Sequence, residues 1–112
     1  MEIKSAVTAL AALAQDTRLA IFRLLVQSGE AGLAAGNIGE ALGVAPSSLS
    51  FHLKELARAG LVSARQESRY VIYAANFQAM DALLAFLTDN CCGGKPCLPS
   101  LPTECGPAEP PP

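Results

Sequence analysis

The chain lacks any unbroken apolar run of membrane-spanning length, because polar or charged residues interrupt every hydrophobic stretch. No transmembrane helix is predicted, since one needs about 20 consecutive apolar residues. The start, Met1-Glu2-Ile3-Lys4, lacks the basic region and apolar segment of a secretory leader, so a cytoplasmic location is expected. There is a single histidine, His52, and no C-x-x-C pair, which disfavours the common zinc-ligand spacings. Positive charge is scarce as well: 8 Lys and Arg stand against 10 Asp and Glu, a net charge of −2. The whole chain therefore carries no bulk signature of nucleic-acid binding. No internal repeat is evident.

Nor is there a constellation for acid–base or nucleophilic catalysis. The serines near residue 48 have only His52 close by, on the same predicted helix, and the cysteine pair at 91 and 92 has only Lys95 as a nearby cation. An activated cysteine needs an electropositive pocket. An enzyme is not expected, and no organic cofactor is implied.

What is present suffices for one domain and a tail: 112 residues, 51% of them hydrophobic. Between Ala41 and Tyr73, Lys54, Arg58, Arg65 and Arg69 face only Glu55 and Glu67, so this segment is net +2 and the remainder −4. A localised basic face of this kind suits phosphate binding.

The periodicity predicts helices throughout the first 60 residues. Ile3, Val7, Leu10 and Ala14 recur at helical spacing, giving a helix over about 2–14. Asp16 reads as the N-cap of a second helix, Thr17 to Gln27, with Leu19, Phe22 and Val26 on one stripe widened by Ile21 and Leu25. Gly29 suits its end. Leu33 to Leu42 reads as a third helix closed by Gly43. In the next, Pro46 fits the first turn, Leu49, Leu53 and Leu56 form the buried stripe, and Gly60 ends it. Leu61 to Gln66 and Tyr70 to Ala75 read as a hairpin, and Phe77 to Thr88 as the last helix.

Helix, turn, helix and hairpin in this order predict a mainly α winged helix-turn-helix with a β-hairpin wing. Such a unit lays its second helix in the major groove of double-stranded DNA. The expected DNA contacts are Ser47, Ser48, Ser50, His52 and Lys54 on that helix, with Arg65 and Arg69 on the wing. Hydroxyls and cations reach phosphates and base edges alike.

After Asn90 the character changes. Cys91-Cys92-Gly93-Gly94-Lys95-Pro96-Cys97 puts three thiols within seven residues, and residues 99–112 hold six of the eight prolines. The expected organisation is a DNA-binding domain over 1–90, a cysteine-rich segment over 91–98 suited to a thiophilic ion, and a disordered tail over 99–112. In a reducing compartment such cysteines are ligands or redox thiols rather than a disulfide framework.

Asp16-Thr17-Arg18-Leu19, the run Ala45-Pro46-Ser47-Ser48-Leu49-Ser50-Phe51-His52-Leu53-Lys54-Glu55-Leu56, Ala59-Gly60-Leu61-Val62 and Arg69-Tyr70-Val71-Ile72-Tyr73 closely resemble the ArsR/SmtB family of metal-responsive repressors. The resemblance covers about residues 5–90. It implies a homodimer joined through the first and last helices, bound to a palindromic operator and released by metal.

The family's familiar arsenic-sensing cysteine pair, at the start of the third helix, has no counterpart in Gly32-Leu33-Ala34-Ala35-Gly36-Asn37-Ile38. Its zinc pattern of Asp and His on the last helix is missing too. Cys91, Cys92 and Cys97 instead resemble the relocated C-terminal arsenite site of some members. Soft thiolates select soft ions, and As(III) or Sb(III) takes three sulfurs in a trigonal pyramid. The expected inducer is therefore As(III) or Sb(III). Gly93-Gly94 would let Cys97 fold back onto the pair. Zinc or cadmium, with Cys105 as a fourth ligand, and a thiol-redox switch stay open as alternatives.

Overall fold

The structure is a computed structural model that describes residues 1–94. The segments expected to close the thiol site and form the tail, including Cys97 and Cys105, lie outside the described residues. The elements run α1 (Ile3–Leu13), α2 (Asp16–Ser28), a 3-10 turn (Gly29–Ala31), β1 (Leu33–Ala34), α3 (Ala35–Leu42), α4 (Pro46–Arg58), β2 (Val62–Glu67), β3 (Tyr70–Ala75) and α5 (Phe77–Leu87). A second 3-10 turn, Cys91–Gly94, follows. This is the expected winged helix-turn-helix.

Two local expectations are corrected. Asp16 is the first residue of α2, not its cap: Gln15 lies outside in extended backbone, and its Oε1 accepts the Arg18 N–H at 2.9 Å. Asp16 instead sits in the first turn, where its charge favours the helix dipole. Leu33-Ala34 does not begin the third helix. These residues pair antiparallel with Tyr73 and Ile72, so the hairpin becomes a three-stranded sheet in the order β1-β3-β2.

The core is one apolar cluster. Ile21 and Leu25 of α2, Ile38 of α3, Leu53 and Leu56 of α4, and Leu61 before β2 are almost fully shielded from water. α2 packs on α1, α3, α4 and β3, and so fixes α4 relative to the wing. Leu19, on the apolar stripe of α2, is 44% exposed. It lines an apolar groove of about 330 Å³ between α2 and α5, opposite Leu84.

Asn76 locks the wing to the last helix. Its Oδ1 accepts the Ala79 N–H at 3.1 Å, capping α5, and its Nδ2 donates to the Gly60 carbonyl at 3.0 Å. Its own N–H donates to Leu61 O at 2.8 Å. Asn76→Ala is expected to lower the unfolding free energy by about 1–2 kcal/mol, read from the urea midpoint. An unchanged midpoint would remove this cap from the account.

Candidate nucleic-acid interface and thiol site

α3 and α4 are joined by a short turn that Gly43 makes at φ 66° and ψ 38°, the left-handed conformation that ends α3. Pro46 then starts α4 without a side-chain cap from Ala45. The first-turn N–H groups of α4 are thus available where Ser47 and Ser48 are exposed. A helix start with unfilled N–H donors and hydroxyls suits a phosphate oxygen. Ser50 and Lys54 are exposed as well.

Leu49, Leu53 and Leu56 face the core, so the opposite side of α4 is set by helical spacing alone. It carries Ser47, Phe51, Lys54 and Arg58, one stripe at i, i+4, i+7 and i+11. Arg58 Nη1 lies 3.2 Å from Glu55 Oε1, an exposed pair that water largely screens. Phe51 and Arg58 were not among the expected contacts. The signal was there, four residues after Ser47 and three before Lys54, but an apolar residue in an amphipathic helix reads first as core.

His52 lies to the side of this face. It is half-buried, and its Nδ1 is 3.3 Å from Arg18 Nη1, while Arg18 Nε donates to Ala12 O at 2.7 Å. A guanidinium only donates, so Nδ1 accepts and the ring proton sits on Nε2. That leaves Nε2–H as the group His52 has for a DNA contact. The ring also meets Phe51 edge-to-face, with centroids 5.5 Å apart.

The two wing arginines differ. Arg65 is drawn back toward the body: Nη2 donates to Ala31 O at 2.7 Å, Nη1 to Glu30 O at 3.4 Å, and Nε lies 3.3 Å from Glu67 Oε1. It braces the wing against the α2–β1 connection. Arg69 is exposed in the hairpin turn, beside Ser68 at φ 58°. The tip cation is the one presented outward.

At the other end of the domain, Asn90 and Cys92 adopt left-handed φ values of 55° and 54°, followed by Gly93 at 68°. The chain therefore turns between Asn90 and Gly93, soon after the end of α5. This turn brings Cys91 Sγ to 3.7 Å from Cys92 Sγ. Two sulfurs on one ion, with bonds of about 2.3 Å and angles of about 90–110°, stand about 3.3–3.8 Å apart. The 3.7 Å spacing is one that two thiolates on a single ion would share. Among the described residues no group of three Cys, His, Asp or Glu could hold an ion, and Cys97, expected as the third ligand, lies outside them.

Near this turn, α5 exposes Leu84 and Leu87, and α1, which packs on α5, exposes Ile3, Val7 and Leu10. Among the described residues these apolar stripes have nothing packed over their exposed side chains. No helix among the described residues is long and apolar enough to cross a membrane.

Residues 13–64 match the model of a helix-turn-helix domain family. The transcriptional activator HlyU of Vibrio cholerae is 34% identical over 82 residues, which make up 73% of this chain and 73% of that protein. The chain belongs to the ArsR/HlyU-type winged helix-turn-helix transcriptional regulators. An uncharacterised regulator of this helix-turn-helix type from Bacillus subtilis, YceK, is 41% identical over 58 residues; that match spans 52% of this chain but only 57% of its relative. Among solved structures, the homodimeric winged helix-turn-helix DNA-binding domain of Mb0332 from Mycobacterium bovis, a possible ArsR-family regulator, superposes with a TM-score of 0.64. It is 28% identical, and the likeness covers 79% of this chain and 82% of that one. The relatives are regulators, and this chain is a regulator of the same type rather than an enzyme.

Proposed function

We propose that this regulator is a homodimeric repressor that binds operator DNA and releases it when As(III) or Sb(III) is held by the thiolates of Cys91, Cys92 and Cys97. The observation that carries the reading is the 3.7 Å separation of the Cys91 and Cys92 sulfurs, immediately after α5. The nearby Leu84 and Leu87, with Ile3, Val7 and Leu10 on α1, are the apolar stripes a twin subunit would cover. The homodimeric Mycobacterium bovis domain supports the same assembly.

On DNA, Ser47, Ser48, Ser50 and Lys54 meet phosphates and base edges, His52 adds its Nε2–H, and Arg69 reaches the flanking backbone. Arg65 acts there by holding the wing, through its bonds to Glu30 and Ala31. Drawing the chain after Asn90 into a closed three-sulfur loop pulls on the end of α5. A small change in the angle between subunits then misplaces two recognition helices whose half-sites lie about one turn apart. Coupling of about 1–3 kcal/mol changes occupancy roughly fivefold to a hundredfold.

The test is fluorescence anisotropy on selected duplex DNA under reducing conditions, titrated with arsenite and separately with zinc, beside Cys97→Ser. Release by arsenite that the variant loses is the expected result. Release by zinc alone would overturn the metalloid reading in favour of a tetrahedral site that includes Cys105. Release by peroxide alone, in protein without reductant, would make the thiols a redox switch.

A further inference from the structure

Phe51 is 56% exposed on the outward stripe of α4. Its neighbours at three and four residues along the helix are Ser47, Ser48, Lys54 and Glu55, all polar. The ring is therefore not the edge of an apolar patch of the kind that a protein partner covers. It is a single apolar group set among hydroxyls and the cations Lys54 and Arg58. It is also buttressed: the His52 ring meets it edge-to-face at 5.5 Å, and Arg18 holds His52 at 3.3 Å while bonded to the carbonyl of Ala12. Its place on the helix is thus defined from the α1–α2 corner.

The surface complementary to a lone apolar ring within a cationic, hydroxylated face is the major-groove edge of a duplex. The only apolar group displayed there is the C5-methyl of thymine, and Phe is one of the side chains that can contact it. We propose that Phe51 is a specificity-determining residue that packs on the C5-methyl of one thymine in each half-site. This rests on the DNA-binding reading above. The charges of Lys54 and Arg58 attract phosphates whatever the sequence, and Phe51 adds preference at one position.

The experiment starts from a duplex selected out of a random pool by the wild-type protein. Each thymine is then replaced, one per half-site, by uracil, which removes one methyl and leaves the hydrogen-bonding edge unchanged. At one position the wild-type protein is expected to bind about fourfold more weakly per half-site, the equivalent of one buried methyl group. Phe51→Ala, whose thermal unfolding should match the wild type because the side chain is exposed, is expected to bind the thymine and uracil duplexes equally. Indifference of the wild type to every replacement would overturn the proposal. So would an undiminished uracil penalty in Phe51→Ala. A pool that yields no enriched sequence would overturn the DNA-binding reading and this proposal with it.

Discussion

Replacing Gly32 by alanine should destabilise the protein by about 3 kcal/mol or more, out of proportion to one added methyl. Gly32 sits at φ 70° and ψ −166°, a region open essentially to glycine alone and costing other residues about 1–3 kcal/mol. A Cβ there would also run into the carbonyl oxygen of Tyr73 and meet the Cβ of Ala74 at 3.2 Å. The obstacle is the backbone of β3, which cannot swing aside as a flexible side chain would. Relief would require β1 to part from β3, losing the Leu33–Tyr73 pairing that makes the third strand.

Gly43→Ala is the control. Gly43 is also left-handed, at φ 66°, but nothing lies within 4 Å of an added Cβ, so only the conformational cost of about 1–2 kcal/mol applies. Urea unfolding at one fixed protein concentration separates the two, because any self-association makes stability depend on concentration. Equal losses in both variants would show that the Tyr73 contact is relieved without cost.

Leu53→Ala has the second large expected effect. Leu53 is 1% exposed and belongs to the same cluster as Ile21, Leu25, Ile38 and Leu56. Truncating a leucine in such a site costs about 2–5 kcal/mol, the spread reflecting how far the walls collapse. α4 packs on α1, α2, α3 and β2, so collapse around Leu53 would tilt α4 along with its exposed stripe. Loss of stability and loss of DNA affinity should therefore appear together in Leu53→Ala. Leu53→Met keeps the volume and should cost under about 1.5 kcal/mol. A Leu53→Ala protein as stable as the wild type in urea would contradict the packing described.

The structure also separates two jobs that the basic residues share in composition. Arg18 and Arg65 spend their donors on the protein's own carbonyls, at Ala12 and at Glu30 and Ala31. Lys54 and Arg69 are exposed on α4 and at the wing tip. A chain with net charge −2 can present a cationic face in this way, because what a polyanion meets is the local arrangement rather than the total.

The five α-helices among the described residues, the hairpin and their order were legible from periodicity within short windows. Leu49, Leu53 and Leu56 mark the inner face of α4 whatever surrounds it, and Gly43 and Pro46 punctuate α3 and α4 through their own backbone limits. The cysteine cluster was legible for the same reason, being local.

Features that depend on segments far apart in the chain had no local signal. Leu33-Ala34 is too short to declare itself a strand and becomes one because β3 offers it a free edge. Leu19 carries the right spacing for the core, yet it lies partly open in the groove between α2 and α5, whose position no local pattern encodes. Arg65 and Glu30 are 35 residues apart, and Arg18 and His52 are 34 apart. Whether such side chains turn outward to a ligand or inward to a carbonyl is set by which backbone groups folding leaves within reach, and helical or strand periodicity carries no information about that.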